Sequence, residues 1–224
     1  MQPILVFGLT ANLAAMGELA GHERRGSLVW PARSAIIGIM GAALGIRRDG
    51  DFTALDSLEI SVAVFDAGVP LRDYHTVETV PSAAAKAPNS RPEALRIAGT
   101  RKNTTITLRD YRTDCLYGIA VRGEGLTGIA TALRAPCFTL YLGRKSCPLS
   151  APTAAKVVEA RTCEDALASL ELPPWRPGAI ARTLVVADPQ GDLVHDVPRD
   201  RGHWHFAPRR VALRPVHIAA GGAG

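Results

Sequence analysis

The sequence is short of cysteine, and the few cysteines present are far apart. Cys115, Cys137, Cys147 and Cys163 form no Cys-x-x-Cys pair, and no histidine stands near them at zinc-finger spacing. Neither a disulfide framework nor a structural zinc site is therefore indicated. We expect a chain without a metal or other cofactor that works in the reducing cytoplasm.

Long apolar runs are also missing. The segment 3–20 is apolar enough to be mistaken for a signal peptide, but Glu18 interrupts it and the first basic side chain is Arg24. An export signal carries positive charge before its apolar core, and a membrane span needs about 20 consecutive apolar residues. We expect neither feature, and so no membrane among the partners.

What the chain does contain is an ordinary globular composition with a moderate surplus of positive charge. With 224 residues, 47% of them hydrophobic and 21% charged, it fits one large domain or one domain with a smaller appendage. The net charge of +5 favours an anionic partner. A surplus of this size also occurs in proteins that bind no nucleic acid.

Apolar periodicity predicts two β-α-β units in series. The strand, helix and strand of each unit are 4–9, 33–46 and 58–65 in the first, and 116–121, 126–134 and 138–142 in the second. The glycines of the first helix would weaken it, so we expect them where it packs closely on a sheet. The pattern predicts an α+β fold with a ferredoxin-like (RRM-like, RAMP) domain.

Between the two units lies a segment that such a domain does not need. Residues 71–77 and 104–112 have the pattern of strands, and residues 79–103 carry almost no large apolar side chains. We interpret 71–112 as a protruding β-hairpin arm with a mobile tip. The predicted organisation is a first domain at 1–148, a smaller β-rich part at 149–218 and a disordered tail at 219–224.

Four stretches together carry a resemblance to a known family. They are Leu-Thr-Ala-Asn-Leu-Ala-Ala-Met-Gly at 9–17, Trp-Pro-Ala-Arg-Ser at 30–34 running into the glycine-rich 38–46, Leu-Arg-Asp-Tyr-His-Thr-Val at 71–77, and Tyr-Leu-Gly-Arg-Lys-Ser-Cys-Pro-Leu at 141–149. They resemble the Cas-five family of CRISPR proteins in its type I-E branch. Met16 departs from the pattern, since the family typically has Trp there.

The resemblance implies a ferredoxin-like domain with a β-hairpin thumb, in a non-catalytic subunit of the CRISPR surveillance complex Cascade. In that complex the family grips the 5′ handle of the guide RNA (crRNA), caps the filament of backbone subunits and contacts the large subunit. Target DNA is met only through the complex.

Two alternatives remain open. A metal-independent endoribonuclease that processes CRISPR repeat RNA would use Tyr74 and His75, with Lys86 or Lys102 nearby. The related subunit of a sister branch, type I-C, cuts guide RNA with a Tyr, a Lys and a His, whereas type I-E systems give this task to a separate subunit. A generic RRM-like RNA binder is disfavoured by the lack of an aromatic-rich RNP-type strand.

The 141–149 stretch provides the first candidate RNA contacts. Arg144 and Lys145 stand between Gly143 and Ser146, so their charges and the loop's N–H groups could converge on a phosphodiester, as the resemblance also implies. Tyr141 could stack on a base. The alternatives are a solvated turn for 143–146 and a core position for Tyr141.

Further candidates lie on the first helix and on the arm. Arg33 and Ser34 begin the helix, where unpaired N–H groups and the helix dipole favour a phosphate, although an ordinary cap would look the same. On the arm the candidate phosphate contacts are Arg72, Tyr74, His75, Arg101, Lys102 and Arg109. A charged edge that only prevents aggregation is the alternative there. His203 and His205 lack a third ligand at suitable spacing, so no metal site is predicted.

Overall fold

A single antiparallel sheet dominates the structure, a computed structural model that describes residues 1–18, 23–203 and 205–221. Its strands are β1 (Gln2–Ala14), β2 (Arg24–Arg25), β3 (Glu59–Asp66), β4 (Val69–Thr79), β5 (Asn103–Arg122), β6 (Lys156–Ala160), β7 (Ile180–Asp200) and β8 (His205–Ala219). The eight strands follow the order β6-β1-β5-β3-β7-β8, with β2 and β4 both paired to β5. Of these pairings, β2 with β5 is the parallel one.

Helices are few and cover the two faces of the sheet. They are α1 (Arg33–Ala43), α2 (Thr53–Asp56), α3 (Arg91–Ala98), α4 (Leu126–Arg134) and α5 (Cys163–Ala168). The larger hydrophobic core joins α1 and α4 to one face, and a smaller core joins α5 to the other. Because side chains alternate along a strand, Phe7 of β1 enters the larger core while Val6 enters the smaller one. The α+β prediction is confirmed as a mixed fold with one antiparallel sheet and few helices.

The glycines of α1 differ from the expectation drawn from the sequence. Gly38 is exposed with no atom within 4 Å of where a Cβ would lie, so it does not pack on the sheet. Gly41 lies against the ring of Phe52. Gly45 has φ +78° and ends the helix in a Schellman motif, because its N–H donates to Ala42 and the next N–H donates to Gly41.

Three of the four strands predicted for the two units lie within β1, β3 and β5, but the second unit does not end as predicted. Residues 138–142 form no strand beyond an isolated bridge between Tyr141 and Pro148, so this prediction was wrong. The strand after α4 is β6, which pairs with β1. Leu140 and Leu142 are buried in a loop, and their alternation with less buried neighbours resembles the pattern of a strand.

The arm predicted between the two units is present, and its tip contains a helix. β4 pairs with the first half of β5 in one continuous register from Val69–Thr113 to Thr79–Asn103. At the tip, Ser90 caps α3 by accepting a hydrogen bond from the N–H of Glu93. The sequence analysis predicted a mobile tip and did not predict this helix. The small buried side chains of the tip are all alanines, Ala84, Ala85, Ala94 and Ala98, which a search for large apolar residues overlooks.

The C-terminal part extends the same sheet. β7 pairs with β3 on one side and with β8 on the other, and α5 packs nearby in the smaller core. The predicted tail begins too early, because Ala219 pairs with Ile180 and Ala220 is buried. Residues 222–224 lie outside the described residues. Within the described part of the chain, no helix has the length and apolar character needed to cross a bilayer.

Candidate nucleic-acid interface

The register of the arm divides the predicted RNA contacts between two faces, since residues directly opposite in an antiparallel pair point to the same side. We call one side the Tyr111 face. It carries Leu71, Asp73, His75, Arg109 and Tyr111. The other side, the Asp110 face, carries Arg72, Tyr74, Glu78, Ile106, Leu108 and Asp110.

Three cations on the Asp110 face form ion pairs within the chain. Arg72 and Arg24 both form ion pairs with Asp110 at 2.7 Å. The hydrogen bond from Arg72 lowers the pKa of the Asp110 carboxyl, and Arg24 adds to the effect. Lys102 pairs with Glu78 at 2.9 Å. All three cations are thus engaged in ion pairs, and because two arginines share Asp110, one positive charge is left over on this side.

Apolar side chains lie between those ion pairs. Tyr74 is 68% exposed and Ile106 is 56% exposed, and both project from the Asp110 face. Leu108 stands directly opposite Tyr74. Exposed aromatic and aliphatic groups ringed by paired charges are more typical of a protein contact than of a phosphate contact.

The Tyr111 face has the opposite character. Arg109 stands opposite Asp73 in the hairpin and beside Arg25 of β2. Among the described residues, neither arginine forms an ion pair within 4.0 Å. The Nε–H of Arg109 is buried and has no hydrogen-bond acceptor in the described part of the chain. This side therefore presents two arginines outside ion pairs, with the Asp73 carboxylate beside them.

The loop at 143–146 is fixed against the root of the arm. Leu142 N–H donates to the carbonyl of Cys147 at 2.8 Å, and Cys147 N–H donates to that of Arg144 at 2.8 Å. Gly143 has φ +88°, and a Cβ there would collide with the carbonyl of Ala15 at the end of β1. Only glycine fits both the backbone conformation and this close approach.

Arg144 joins this loop to the Tyr111 face. Its guanidinium carbon lies 4.5 Å from the centroid of the Tyr111 ring, a cation–π distance. One of its terminal nitrogens is buried with no acceptor among the described residues. Lys145 and Ser146 are exposed beside it, and Tyr141 is half-buried. The structure thus places Arg144 and Lys145, which were predicted together, next to the face that carries Arg109 from a separate prediction.

Arg33 and Ser34 do not join this group. The N–H of Arg33 at the start of α1 donates to the buried carboxylate of Asp196 at 2.8 Å. The Arg33 guanidinium donates to the carbonyls of Leu58 and Asp56, at 2.8 and 2.7 Å. Burial, and then the nearby Arg209 charge, lower the pKa of Arg33. The place predicted for a phosphate is filled by a carboxylate of the chain itself.

Two other predicted contacts have partners within the arm. Arg101, which follows α3, donates a hydrogen bond to the carbonyl of Ala84 at 3.3 Å, so it connects the two ends of the tip. His75 lies 3.9 Å from Asp73 on the Tyr111 face. Of the two, His75 is the one whose position suits an RNA contact, because it shares a face with Arg109.

The residues of the endoribonuclease alternative do not converge. Tyr74 and His75 are neighbours in β4, so their side chains point to opposite faces of the arm. Lys102 is paired with Glu78 on the face of Tyr74. His203 and His205 have ring centroids 5.8 Å apart, and no group of three potential metal ligands occurs in residues 1–18, 23–203 and 205–221.

Sequence reasoning missed several members of the two faces. Tyr111 and Asp110 could have been found by extending the strand alternation forward from Arg109, which places Tyr111 on its side and Asp110 on the other. Arg24 and Arg25 could not, because the parallel pairing of β2 with β5 joins residues far apart in the chain.

Comparison with known proteins agrees with this architecture. The family model described as CRISPR-associated protein (Cas_Cas5) matches residues 4–212. The CRISPR system Cascade subunit CasD of Escherichia coli (strain K12) is 31% identical over 192 residues, covering 76% of this chain and 78% of that protein.

Two solved structures are also similar over nearly the whole chain. A chain of a CRISPR RNA-guided surveillance complex matches with a TM-score of 0.73 and 25% identity, covering 97% of this chain and 91% of its own. A structure titled as the crystal structure of a Cas protein matches with a TM-score of 0.68 and 26% identity, covering 96% and 95%. The chain therefore belongs to the Cas5 family of CRISPR-associated proteins.

Proposed function

We propose that this protein is the non-catalytic subunit of a type I-E CRISPR Cascade complex that holds the 5′ handle of the crRNA on its Tyr111 face. The sequence similarity to a Cascade subunit supports membership in this complex. The observation that carries the RNA surface is the pair of arginines, Arg109 and Arg144, whose buried N–H groups lack acceptors in the described part of the chain.

Phosphodiester oxygens suit these two arginines. A buried N–H without an acceptor is costly, and a phosphate oxygen supplies a charge-assisted hydrogen bond to a guanidinium. Arg25 and Lys145 add charge on the same side without an ion pair among the described residues. RNA held in this way is bound largely through its backbone, and the binding should weaken steeply with salt.

The Asp110 face suits a protein neighbour, and we assign it to the Cascade backbone subunit. Tyr74 and Ile106 offer exposed apolar surface, and the flanking cations are already paired. An arm with RNA on one side and a backbone subunit on the other would cap the filament at the 5′ end of the guide.

The remaining assignments rest on the family. The order β6-β1-β5-β3 with α1 and α4 in the connections supports a ferredoxin-like domain, followed by a smaller C-terminal part built on β7 and β8. The protein works in the cytoplasm, helps to dock the large subunit and meets target DNA only through the complex.

Catalysis is not part of the proposal. Cutting RNA by attack of a ribose 2′-OH needs a base and an acid on opposite sides of one phosphate. Tyr74 and His75 project from opposite faces of the arm, and Lys102 is held by Glu78, so these groups offer no shared pocket.

The RNA surface is tested by salt-dependent binding. The purified full chain is titrated with a fluorescently labelled RNA carrying the 5′ handle of its own CRISPR repeat, at several salt concentrations. Replacing both Arg144 and Lys145 by Ala should weaken binding and reduce the slope of log K against log salt by about one unit for each lost phosphate contact.

Arg24→Ala is the matched control, because Arg24 lies on β2 beside the arm and pairs with Asp110 on the other face. It should leave the slope nearly unchanged. An unaltered slope in the double variant, or an equal loss in the control, would remove the Tyr111 face as the RNA surface.

A further inference from the structure

Arg144 is held differently from the paired cations of the arm. Arg72 and Lys102 are oriented by carboxylates, which use their N–H donors and cancel their charge. Arg144 is oriented by the face of the Tyr111 ring, at 4.5 Å from the centroid. A ring contact attracts the cation but takes up none of its hydrogen-bond donors.

The ring itself is fixed. Tyr111 is 8% exposed and belongs to a small core cluster with Ala15 and Cys147. Cys147 closes the turn that carries Arg144, and Ala15 is the residue against which Gly143 is placed. The same cluster therefore fixes both the ring and the backbone of the loop that presents the guanidinium.

We propose that Tyr111 is a positioning residue that holds the Arg144 guanidinium ready for an RNA phosphate beside Arg109. The inference rests on the proposed RNA-binding function. It adds that the Arg144 side chain is oriented before RNA binds. Arg109 lies two residues from Tyr111 on the same face of β5, so both arginines serve the same face of the arm.

The physical benefit is preorganisation. An arginine side chain loses much rotamer freedom when it binds a ligand, and a guanidinium already held in place loses less. Because the ring leaves the charge and the donors intact, the gain should appear in RNA affinity. An ion pair such as that of Arg72 with Asp110 would hold the side chain equally well but would weaken its attraction for phosphate.

The test compares Tyr111→Leu with Tyr111→Phe in the full chain. Leucine keeps an apolar group in the cluster and removes the ring, whereas phenylalanine keeps the ring. Titration with the labelled 5′-handle RNA should show about a 3- to 10-fold loss of affinity in Tyr111→Leu, the range expected for a cation–π contact of this kind. Tyr111→Phe should stay within about twofold of the unaltered chain.

A double-mutant cycle separates positioning from a general structural role. In the Arg144→Ala background, Tyr111→Leu should cause no further loss of RNA affinity, because its effect acts through Arg144. An equal loss with and without Arg144, or a Tyr111→Leu variant that binds normally, would overturn the positioning role while leaving the RNA surface in place. An Arg144→Ala variant that itself binds normally would overturn the proposed RNA surface, and this inference would fall with it.

Discussion

Arg209 donates two hydrogen bonds to the carboxylate of Asp196, at 2.7 and 2.9 Å, and the same carboxylate accepts the N–H of Arg33 at the start of α1. The contact joins the β7–β8 hairpin to the helix of the first unit. Asp196 is 2% exposed, so its loss would leave the Arg209 charge without a partner in a poorly hydrated place.

Asp196→Ala should therefore destabilise the protein by about 3–5 kcal/mol, the range for breaking one side of a buried ion pair. Urea denaturation followed by circular dichroism measures the change. Asp188→Ala is the control, since its partner Arg214 is more than half exposed, at 57%, and its removal should barely alter stability. A small effect in Asp196→Ala would show that the hairpin is held to α1 by other contacts.

The tip of the arm should be dispensable for folding but not for assembly. Replacing 80–102 by a short Gly/Ser turn removes α3 and its alanine contacts, which bury little apolar surface. The isolated chain should keep its melting temperature within a few degrees, and co-purification with the other Cascade subunits should fail. A large loss of thermal stability would mean that the tip contributes to the main core.

The chain should not cut RNA. Purified protein incubated with its own CRISPR repeat RNA, in EDTA and separately with Mg²⁺, should leave the RNA intact, because Tyr74 and His75 do not face a common site. His75→Ala should assemble with a normally processed guide. Specific cleavage at the base of the repeat hairpin that is lost in His75→Ala would establish the endoribonuclease, since losing a catalytic base typically costs about 10² to 10⁴ in rate.

The four thiols should differ sharply in reactivity. Cys137 is exposed, whereas Cys115, Cys147 and Cys163 are buried. Burial raises the pKa of the Cys115 thiol to about 11 and also raises that of Cys163. A thiol reagent at pH 8 should therefore modify Cys137 first, and Cys137→Ser should remove the fast phase.

The raised pKa of Cys115 also predicts a pH effect on stability. An unperturbed thiol has a pKa of 9.0, so between about pH 9 and 11 the unfolded chain loses this proton while the folded chain keeps it. Stability conferred by the protonated thiol is complete below pH 9 and is lost as the pH rises through 11. Urea denaturation across this range should show a shallower decline in Cys115→Ala than in the unaltered chain.

Gly143 should be intolerant of any side chain. Gly143→Ala places a Cβ against the Ala15 carbonyl at a positive φ, so it should cost at least about 1–2 kcal/mol and displace Arg144 from its RNA-binding position. Gly128→Ala in α4 is the control, because open space surrounds that position and alanine favours a helix. RNA titration and urea denaturation of the two variants check both expectations.

Local patterns were enough to predict most of the fold. Apolar periodicity located α1 and α4, which each bury one face, and the apolar runs of β1 and β3, which contribute to both cores. It failed where burial occurs without regular pairing, as at Leu140 and Leu142, and where the buried residues are small, as in α3. The Ser-Arg-Pro-Glu sequence at the start of α3 is a helix-capping signal. It was overlooked because the segment was judged by its low content of large apolar residues.

The site was less accessible from the sequence because it depends on distant pairings. The loop motif marked Arg144, but its contact with Tyr111 joins residues from different elements. Asp196 filled the position predicted for a phosphate at α1, and no local pattern links it to Arg33 across such a long stretch of chain. The ion pairs of the arm depend on which residues the strand register brings together, so they could be identified only in the folded structure.

The continuous register of β4 and β5 makes the arm sensitive to whether a change in its length is odd or even. Successive side chains alternate, so one extra residue in β5 between its start and Tyr111 would move Arg109 or its neighbours to the side of Tyr74. Two extra residues would restore the alternation. The arm can thus lengthen or shorten in steps of two residues while its RNA side and its protein side stay distinct. A change of one residue would instead place RNA-contacting and protein-contacting side chains on the same face.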